Sequence, residues 1–493
     1  MRRPAPTRTD DGLNGCLLAR FHGPSAPPWL LRWLDHGLAG VVLFAGNITS
    51  AQQTRALVSE LRAHNPRALL AVDEEGGIVT RLEAATGSSF PGNAALGAID
   101  DLAATSQVAR DIGALLACNG LNLNLAPVAD VASNPDNPVI GVRSYGADPE
   151  RVAAHTAAFV TALQECGVAA CAKHFPGHGR TGVDSHLVLP TVPASLAELT
   201  ASDLVPFRAA VGAGVRAVMT SHVCFPAVDE KPVTMSHRWL TDVLRGELGF
   251  GDVTITDALD MGAIGDSGSS AAGAVGALAA GADLLCLGAN RAAQERAVSA
   301  LADAVAEGSV SRERIAEAAR RVRALADWAR PVESLPPDLA SGACLARRSL
   351  VIAGPVGKLR TAPYVVDAGG RMSVQLEDSA ASMLGLLRDR FAGTEGVRLT
   401  VPVGGADVFD LAGLHGWLAA AAGRPLVLVV RDAHRRPWQR ELLRRALGTR
   451  PDAVVVGTGT ADDRALARSA YLGTLGASRA SLTAAADLLA GRI

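Results

Sequence analysis

Aromatic side chains are scarce in this chain, at 4% of 493 residues. That argues against a carbohydrate-binding module built on ring stacking. An excess of either charge is also missing: 47 Lys and Arg face 49 Asp and Glu, a formal net charge of −2. Nothing therefore points to nucleic acid or to an anionic membrane surface as a partner. Cysteine is sparse, odd in number and scattered, at Cys16, Cys118, Cys166, Cys171, Cys224, Cys286 and Cys344. With no Cys-X-X-Cys spacing, neither a disulfide framework nor a zinc site is expected. Most of the thiols read as small buried apolar groups. No apolar run reaches the roughly 18 residues of a membrane span. The start, Met1-Arg2-Arg3-Pro4, carries basic residues but no apolar core follows, so no signal peptide is expected and the protein is placed in the cytoplasm. Repeats and low-complexity tracts are absent too.

What remains is a long, apolar chain. At 493 residues it exceeds one ordinary domain and suggests two, and 48% apolar residues supply a large core. Short strand-like runs at 40–45, 68–72, 121–126, 168–172, 217–220, 253–256 and 283–287 alternate with helical stretches such as 51–63, 149–166 and 202–213. Alternation of this kind predicts a parallel sheet. Seven or eight units in about 330 residues fit a (β/α)8 TIM-like barrel better than an open doubly wound sheet. A Rossmann-like fold is the competing arrangement, but no Gly-X-Gly-X-X-Gly follows the first strand. The Pro-rich stretch beginning at Pro331 marks a boundary. The expected organisation is a catalytic domain at 1–335, a linker at 336–345 and a second α/β domain at 346–493. In the latter, strands are expected at 350–352, 364–367, 398–401, 425–430 and 453–457. Helices fit 380–391, 411–422, 435–447 and 481–490. Arg431, Asp432 and His434 sit at a strand end there and read as an ordinary polar loop.

The chemistry concentrates in one loop. After the apolar run 168–172 comes Lys173-His174-Phe175-Pro176-Gly177-His178-Gly179-Arg180-Thr181-Gly182-Val183-Asp184-Ser185-His186. Three of the chain's 11 histidines fall in it, on a segment that Pro and Gly keep from being helical. Functional groups gather on loops held by a rigid scaffold. In Asp184-Ser185-His186 the carboxylate can take the proton of one ring nitrogen, orient the ring and make the other nitrogen more basic. The alternative is a turn in which Asp184 caps backbone amides and His186 points to solvent.

Lys-His-Phe-Pro-Gly-His-Gly followed by Asp-Ser-His resembles the signature loop of glycoside hydrolase family 3, in its β-N-acetylglucosaminidase branch. The resemblance implies that Asp184 and His186 form the general acid/base pair. Asp73-Glu74-Glu75-Gly76-Gly77-Ile78-Val79-Thr80-Arg81 is similar to the family's Asp-x-Glu-Gly-Gly-x-Val-x-Arg, with Asp73 and Arg81 as sugar-binding groups. Read alone, those two residues are equally an Asp–Arg pair at a strand end, and Glu74 and Glu75 read as solvated or structural. The stretch from Asp130 to Arg143 resembles a further family loop, with Arg143 binding substrate and Asp130 either touching sugar or positioning Arg143. Asn134 and Asp136 read as turn residues. Lys173 and His174 are implied sugar-hydroxyl ligands, and His178 a structural or loop-gating residue. His222 is either a binding group or a packing group against the nucleophile. Val253-Thr254-Ile255-Thr256-Asp257-Ala258-Leu259-Asp260-Met261 resembles the nucleophile strand. Thr256 stands where Ser is usual, Asp257 is the implied nucleophile, Asp260 reads as a helix start and Met261 as a platform under the sugar. The second domain resembles the α/β sandwich that many family members carry.

The implied activity is that of a retaining exo-β-N-acetylglucosaminidase acting on a terminal non-reducing β-linked N-acetylglucosamine, from muropeptide or chitin-derived saccharides. A glycosyl-enzyme on Asp257 would be its intermediate. Most retaining enzymes use two carboxyls; here His186 replaces one, and an ordinary histidine pKa near 6.5 suits acid and base roles alike. Gly177, Gly179 and Gly182 would let the loop close. Three other activities stay open. A phosphorylase would use the same site with phosphate as acceptor. A metal-dependent hydrolase would use His174, His178, His186 and His222, although no His-X-His follows the first strand. A sugar-binding protein without catalysis is the third. The expected partner is a small saccharide, with no cofactor, metal, nucleic acid or membrane, and the oligomeric state is undetermined.

Overall fold

The computed structural model describes residues 12–264, 269–332, 336–370, 381–399, 413–467 and 470–493. The start of the chain read for a leader, residues 333–335 of the Pro-rich stretch, residue 380, residues 400–401 of the strand expected at 398–401 and residues 411–412 lie outside them.

Eight strands form the first sheet, all in parallel: β1 Leu17–Ala19, β2 Gly40–Leu43, β3 Leu69–Val72, β4 Leu123–Asn124, β5 Ala169–Phe175, β6 Ala217–Thr220, β7 Val253–Ile255 and β8 Leu285–Cys286. They are buried on both faces, which is why they read as continuous apolar runs rather than as alternating ones. β1 pairs with β8 and β2, and the order continues to β7. A parallel bridge from Ile255 to Leu284 then closes the ring, with Cys286 N donating to Thr256 Oγ1 at 2.9 Å. Either Ser or Thr can accept that bond. The strand windows of the sequence fall on seven of these elements. β1 is the one they omit: three residues, Leu-Leu-Ala, straight after a 3₁₀ turn at Leu13–Cys16 give too short a run to show periodicity.

The N-terminal edge of the ring is held by charge. Asp283 is fully buried and accepts from Arg245 at 2.6 Å and Arg321 at 3.2 Å, while also bonding Arg314 and the Thr254 amide. This clamp sits opposite the strand ends that carry chemistry in such barrels, and groups on that face serve stability. All seven cysteines are free thiols and five are buried; Cys118 and Cys344 are exposed. No helix among the described residues is long and apolar enough to cross a membrane.

Contacts divide the chain into two compact units: Met1–Glu74, Thr105–Asn137 and Ala147–Pro337 form one, and Glu75–Ala104, Pro138–Gly146 and Asp338–Ile493 the other. Two segments that follow barrel strands in sequence thus group with the C-terminal part. Helix Ser341–Arg348 occupies the last residues of the expected linker.

The second unit holds a six-stranded sheet: β9 Val351–Ala353, β10 Tyr364–Asp367, β11 Glu395–Arg398, β12 Leu426–Val430, β13 Val454–Gly457 and β14 Ala470–Gly473, in the order β9-β14-β13-β12-β10-β11. Only β9 runs antiparallel to its neighbour. Side chains alternate as strand geometry requires. Tyr364, Val366, Leu428 and Val430 pack with Trp438, Leu442 and Ala446, while Val365, Val427 and Val429 pack with Leu384, Leu387, Leu482 and Ala485. Helices therefore cover both faces. β11 lies at the sheet edge with a half-exposed Glu-Gly-Val-Arg sequence, so the apolar cue beyond it drew the expected strand too far along. Within this unit Arg479 bonds Glu83 and the Gly87 carbonyl. A side chain at Gly342 would meet the Ser89 carbonyl oxygen at 2.0 Å.

Candidate active site

The C-terminal strand ends of the barrel gather the polar groups. Asp73 follows β3, Lys173 and His174 lie within β5, and Asp257 follows β7. Lys173 Nζ donates to Asp73 Oδ1 at 2.7 Å, with the lysine side chain 3% exposed and the aspartate 15%. A pair this dry helps to hold both groups in fixed positions, because breaking a buried ion pair is costly.

Asp130 is fully buried. It accepts from His174 Nδ1 at 2.7 Å, and from the amides of His174 at 3.2 Å and His178 at 2.7 Å. Burial alone would raise its carboxyl; the two histidines and the His178 amide hold it below its usual value instead. It therefore positions His174 and His178. His174 keeps Nε2 available. His178 is spent on structure, with Ser185 Oγ at 2.9 Å from Nε2 and Thr181 Oγ1 at 2.9 Å from Nδ1. Burial, then His174, pushes its pKa down to about 4. Asn137 completes the clamp by donating to the His178 carbonyl at 2.8 Å and to Thr181 Oγ1 at 3.1 Å. Sequence reasoning missed Asn137: between prolines it looks like its exposed turn neighbours, and only burial distinguishes it.

The loop that carries Asp184 and His186 makes two sets of fixing contacts. Asp184 Oδ1 accepts from the His186 amide at 2.9 Å and from His186 Nδ1 at 2.6 Å. That bond puts the proton of Nδ1 on the carboxylate side and leaves Nε2 for exchange with a ligand. Burial opposes the charge of Asp184, but the bonds and charge of His186 keep its pKa below the usual carboxylate value. The carbonyls of Ser185 and His186 accept from the amides of Ala263 and Gly262, so the loop docks on the segment after β7. Its glycines are not three equal hinges. A side chain at Gly179 would meet the Val131 carbonyl oxygen at 1.7 Å, and one at Gly177 would meet Asp203, whereas Gly182 stands in open space.

Asp257 accepts from the Ala258 amide at 2.7 Å. Burial would raise it; His222, His174, His186 and the amide together hold it below the usual carboxylate value. His222 is fully buried, with Nδ1 at 2.7 Å from Thr234 Oγ1 and Nε2 at 3.0 Å from the Ala258 carbonyl. Both nitrogens are committed to protein, and burial depresses its pKa. It packs behind the aspartate. Met261 is 3% exposed and belongs to the barrel core. Asp260 starts no helix: it is an exposed turn residue, and the room for its carboxylate is provided by Gly288, where a Cβ would lie 2.0 Å from Oδ2. Among the described residues no three His, Cys, Asp or Glu side chains converge on a metal position.

Arg81 and Arg143 belong to the other compact unit. There Arg143 forms a two-pronged pair with Glu75, 2.9 Å from Nε to Oε2 and 2.8 Å from Nη2 to Oε1. Glu75 and Glu74 are buried, which fits the structural alternative of the two readings the sequence left open. Arg81, 5% exposed, lines a cleft with residues of the second sheet.

Residues 31–325 match the glycosyl hydrolase family 3 N-terminal domain. The chain belongs to glycoside hydrolase family 3. Within that family, a β-hexosaminidase of Pseudomonas aeruginosa is 40% identical over 268 residues, 54% of this chain and 79% of that protein. A family 3 β-N-acetylglucosaminidase from Paenibacillus sp. str. FPU-7 superposes with a TM-score of 0.86 at 31% identity, covering 98% of this chain and 97% of that one. A β-glucoside phosphorylase shares the fold, with a TM-score of 0.76 over 99% of this chain and 93% of that one, at only 19% identity.

Proposed function

We propose that this family 3 chain is a retaining exo-β-N-acetylglucosaminidase that removes terminal non-reducing β-linked N-acetylglucosamine. The observation that carries the reading is the Asp184–His186 bond of 2.6 Å on a loop whose Ser185 and His186 carbonyls accept from the Ala263 and Gly262 amides, a few residues beyond Asp257. The similarity to β-hexosaminidases along the barrel supports it. Asp257, ionised and oriented by the Ala258 amide, attacks the anomeric carbon. As the glycosidic bond breaks, His186 gives its Nε2 proton to the leaving oxygen, and a glycosyl ester forms on Asp257. Neutral His186 then takes a proton from water. The oxygen so activated attacks the same carbon, the ester bond breaks, and the β configuration returns. Asp184 holds the ring throughout. Asp73, Lys173 and Nε2 of His174 bind sugar hydroxyls. Muropeptide or chitin-derived saccharides are the proposed substrates and the cytoplasm the proposed location.

Release of p-nitrophenol tests the assignment. The N-acetyl-β-glucosaminide should be cleaved at least tenfold faster than the β-glucoside, a preference that needs only about 1.4 kcal/mol from the acetamido group. Added phosphate should leave the product as free sugar. Equal rates on both glycosides would refute the substrate, and a sugar 1-phosphate would turn the reading into phosphorolysis.

A further inference from the structure

One inward-facing side chain at the barrel mouth is not used by the reaction above. Arg20 is the first residue after β1. Side chains alternate along a strand, so a residue two places beyond an interior one faces inward again. Leu18, Ala71, Cys171 and Ile255 share the core cluster inside the barrel. Two residues beyond them stand Arg20, Asp73, Lys173 and Asp257.

The register puts these four at one height. Leu18 pairs with Gly40, Leu43 with Val72, Val72 with Asn124 and Asn124 with Ala170. Cys171 pairs with Ala217, Met219 with Ile255, Ile255 with Leu284 and Leu285 with Leu17. Stepped round the ring from Arg20, these registers end at Gly12, eight residues earlier in the chain. That stagger is the shear of a (β/α)8 barrel, and the strand tilt takes it up at one residue per strand. At the height of Arg20, β3 therefore presents Asp73, β5 Lys173 and β7 Asp257. Four side chains from alternate strands make one layer in such barrels. In the order of the ring Arg20 stands opposite Lys173, and Asp73 opposite Asp257.

The arginine is held for a ligand rather than spent on the fold. Its Cζ lies 3.5 Å from the ring centroid of Phe44, the residue after β2. That stack fixes the plane of the guanidinium without using its donors. The backbone carbonyl of Arg20 accepts from Gln294 Nε2 at 2.8 Å. Nε is buried and bonds no acceptor among the described residues.

The layer also orients the sugar, given the retaining mechanism proposed above, on which this assignment rests. C1 lies over Asp257. C4 is across the pyranose ring from C1 and so lies toward Asp73. Lys173 and Arg20 then flank the two sides of the ring. One side carries the acetamido group on C2 and the hydroxyl on C3, and β5 offers Lys173 and His174 to it. The other side carries C5 with its hydroxymethyl group. We propose that Arg20 is a further substrate-binding residue, which donates a hydrogen bond to the O6 hydroxyl of the terminal N-acetylglucosamine.

Cleavage of p-nitrophenyl N-acetyl-β-glucosaminide and of its 6-deoxy counterpart by the full chain tests the assignment. The wild type should lose at least about tenfold in kcat/KM on the 6-deoxy sugar, since hydrogen bonds to charged groups are among the stronger ones and a donor built for a hydroxyl is left without it. Arg20→Met should lose as much on the parent sugar, yet cleave the 6-deoxy sugar nearly as the wild type does. Both changes remove the same bond, so their losses do not add. Arg20→Lys keeps a cation but not the planar fork and should discriminate less between the two sugars than the wild type. It decides the matter if the thermal midpoint shows that Arg20→Met does not fold. Equal wild-type rates on the two sugars, an equal loss on both in Arg20→Met, or undiminished discrimination in Arg20→Lys would overturn the role of Arg20 and leave the proposed function standing. A wild type that does not cleave the parent sugar would overturn both.

Discussion

Asp257 and Asp184 are both held below the usual carboxylate range, and by opposite means. Asp257 stands at a strand end and answers to several groups: His222, His174, His186 and one amide. Asp184 sits on a loop and answers mainly to one neighbour, His186, two residues away. In the proposed mechanism the strand-borne acid is thereby kept ionised for attack, and the loop-borne acid directs a proton carrier. A strand end fixes position through the whole barrel, while a loop pair keeps its internal geometry even when the loop moves, which suits a group that must act first as acid and then as base.

The sharpest way to break this division is to remove the strand-borne acid. Asp257→Ala should lower kcat by about 10⁵-fold or more, as removal of a covalent nucleophile does elsewhere. Steady-state assay of the purified variant checks it, and a rate near wild type would remove Asp257 from the chemistry. The next effect belongs to the fixed wall. Lys173→Met breaks the ion pair with Asp73 and should cost on the order of 10²-fold in kcat/KM, in line with the few kcal/mol lost when a buried pair is broken. The double variant with Asp73→Asn should lose less than the product of the two single losses, because the groups act as a pair. Full additivity would show that the ion pair does not couple them.

The smallest expected effect is on stability. His178 titrates near 4 in the folded chain and near 6.5 when unfolded. Between those values the unfolded chain binds the extra proton, so stability rises with pH across the window and falls as acid is added. The shift is worth roughly 3 kcal/mol in all, and His222, also lowered, adds in the same direction. The lowered carboxylates Asp130, Asp184 and Asp257 act below the window, since their unfolded values lie near 4. Urea unfolding from pH 7 to pH 4 should show the slope in the wild type and a shallower one in His178→Gln. Equal slopes would mean that His178 is not held neutral by the fold.

Much of this was legible in the chain. The barrel came from apolar runs at regular spacing, and the site from polar residues that follow those runs, because a parallel barrel sends every strand's end to one mouth. What the sequence hid lies in contacts between distant segments. Asp130 offered no sign that it would bond His174 and His178. Met261 looked like a sugar platform because its motif neighbours are site residues, yet it fills the core. Gly179 looked like a hinge because glycine serves both for flexibility and for close approach, and only the nearby Val131 carbonyl tells which applies.

The pairing of a strand-borne nucleophile with a loop-borne acid/base is tested most directly in His186→Ala. With an unactivated sugar leaving group, turnover should fall by roughly 10²–10⁴-fold, the usual worth of general acid–base help. With an activated aryl group the first step should suffer least, so the glycosyl ester on Asp257 accumulates. Azide should then restore turnover and yield a β-glycosyl azide. Asp184→Ala should lose activity in the same direction but by less, because His186 remains. If azide has no effect and both kinds of leaving group slow equally in His186→Ala, His186 does not carry the proton, and the account of the loop fails.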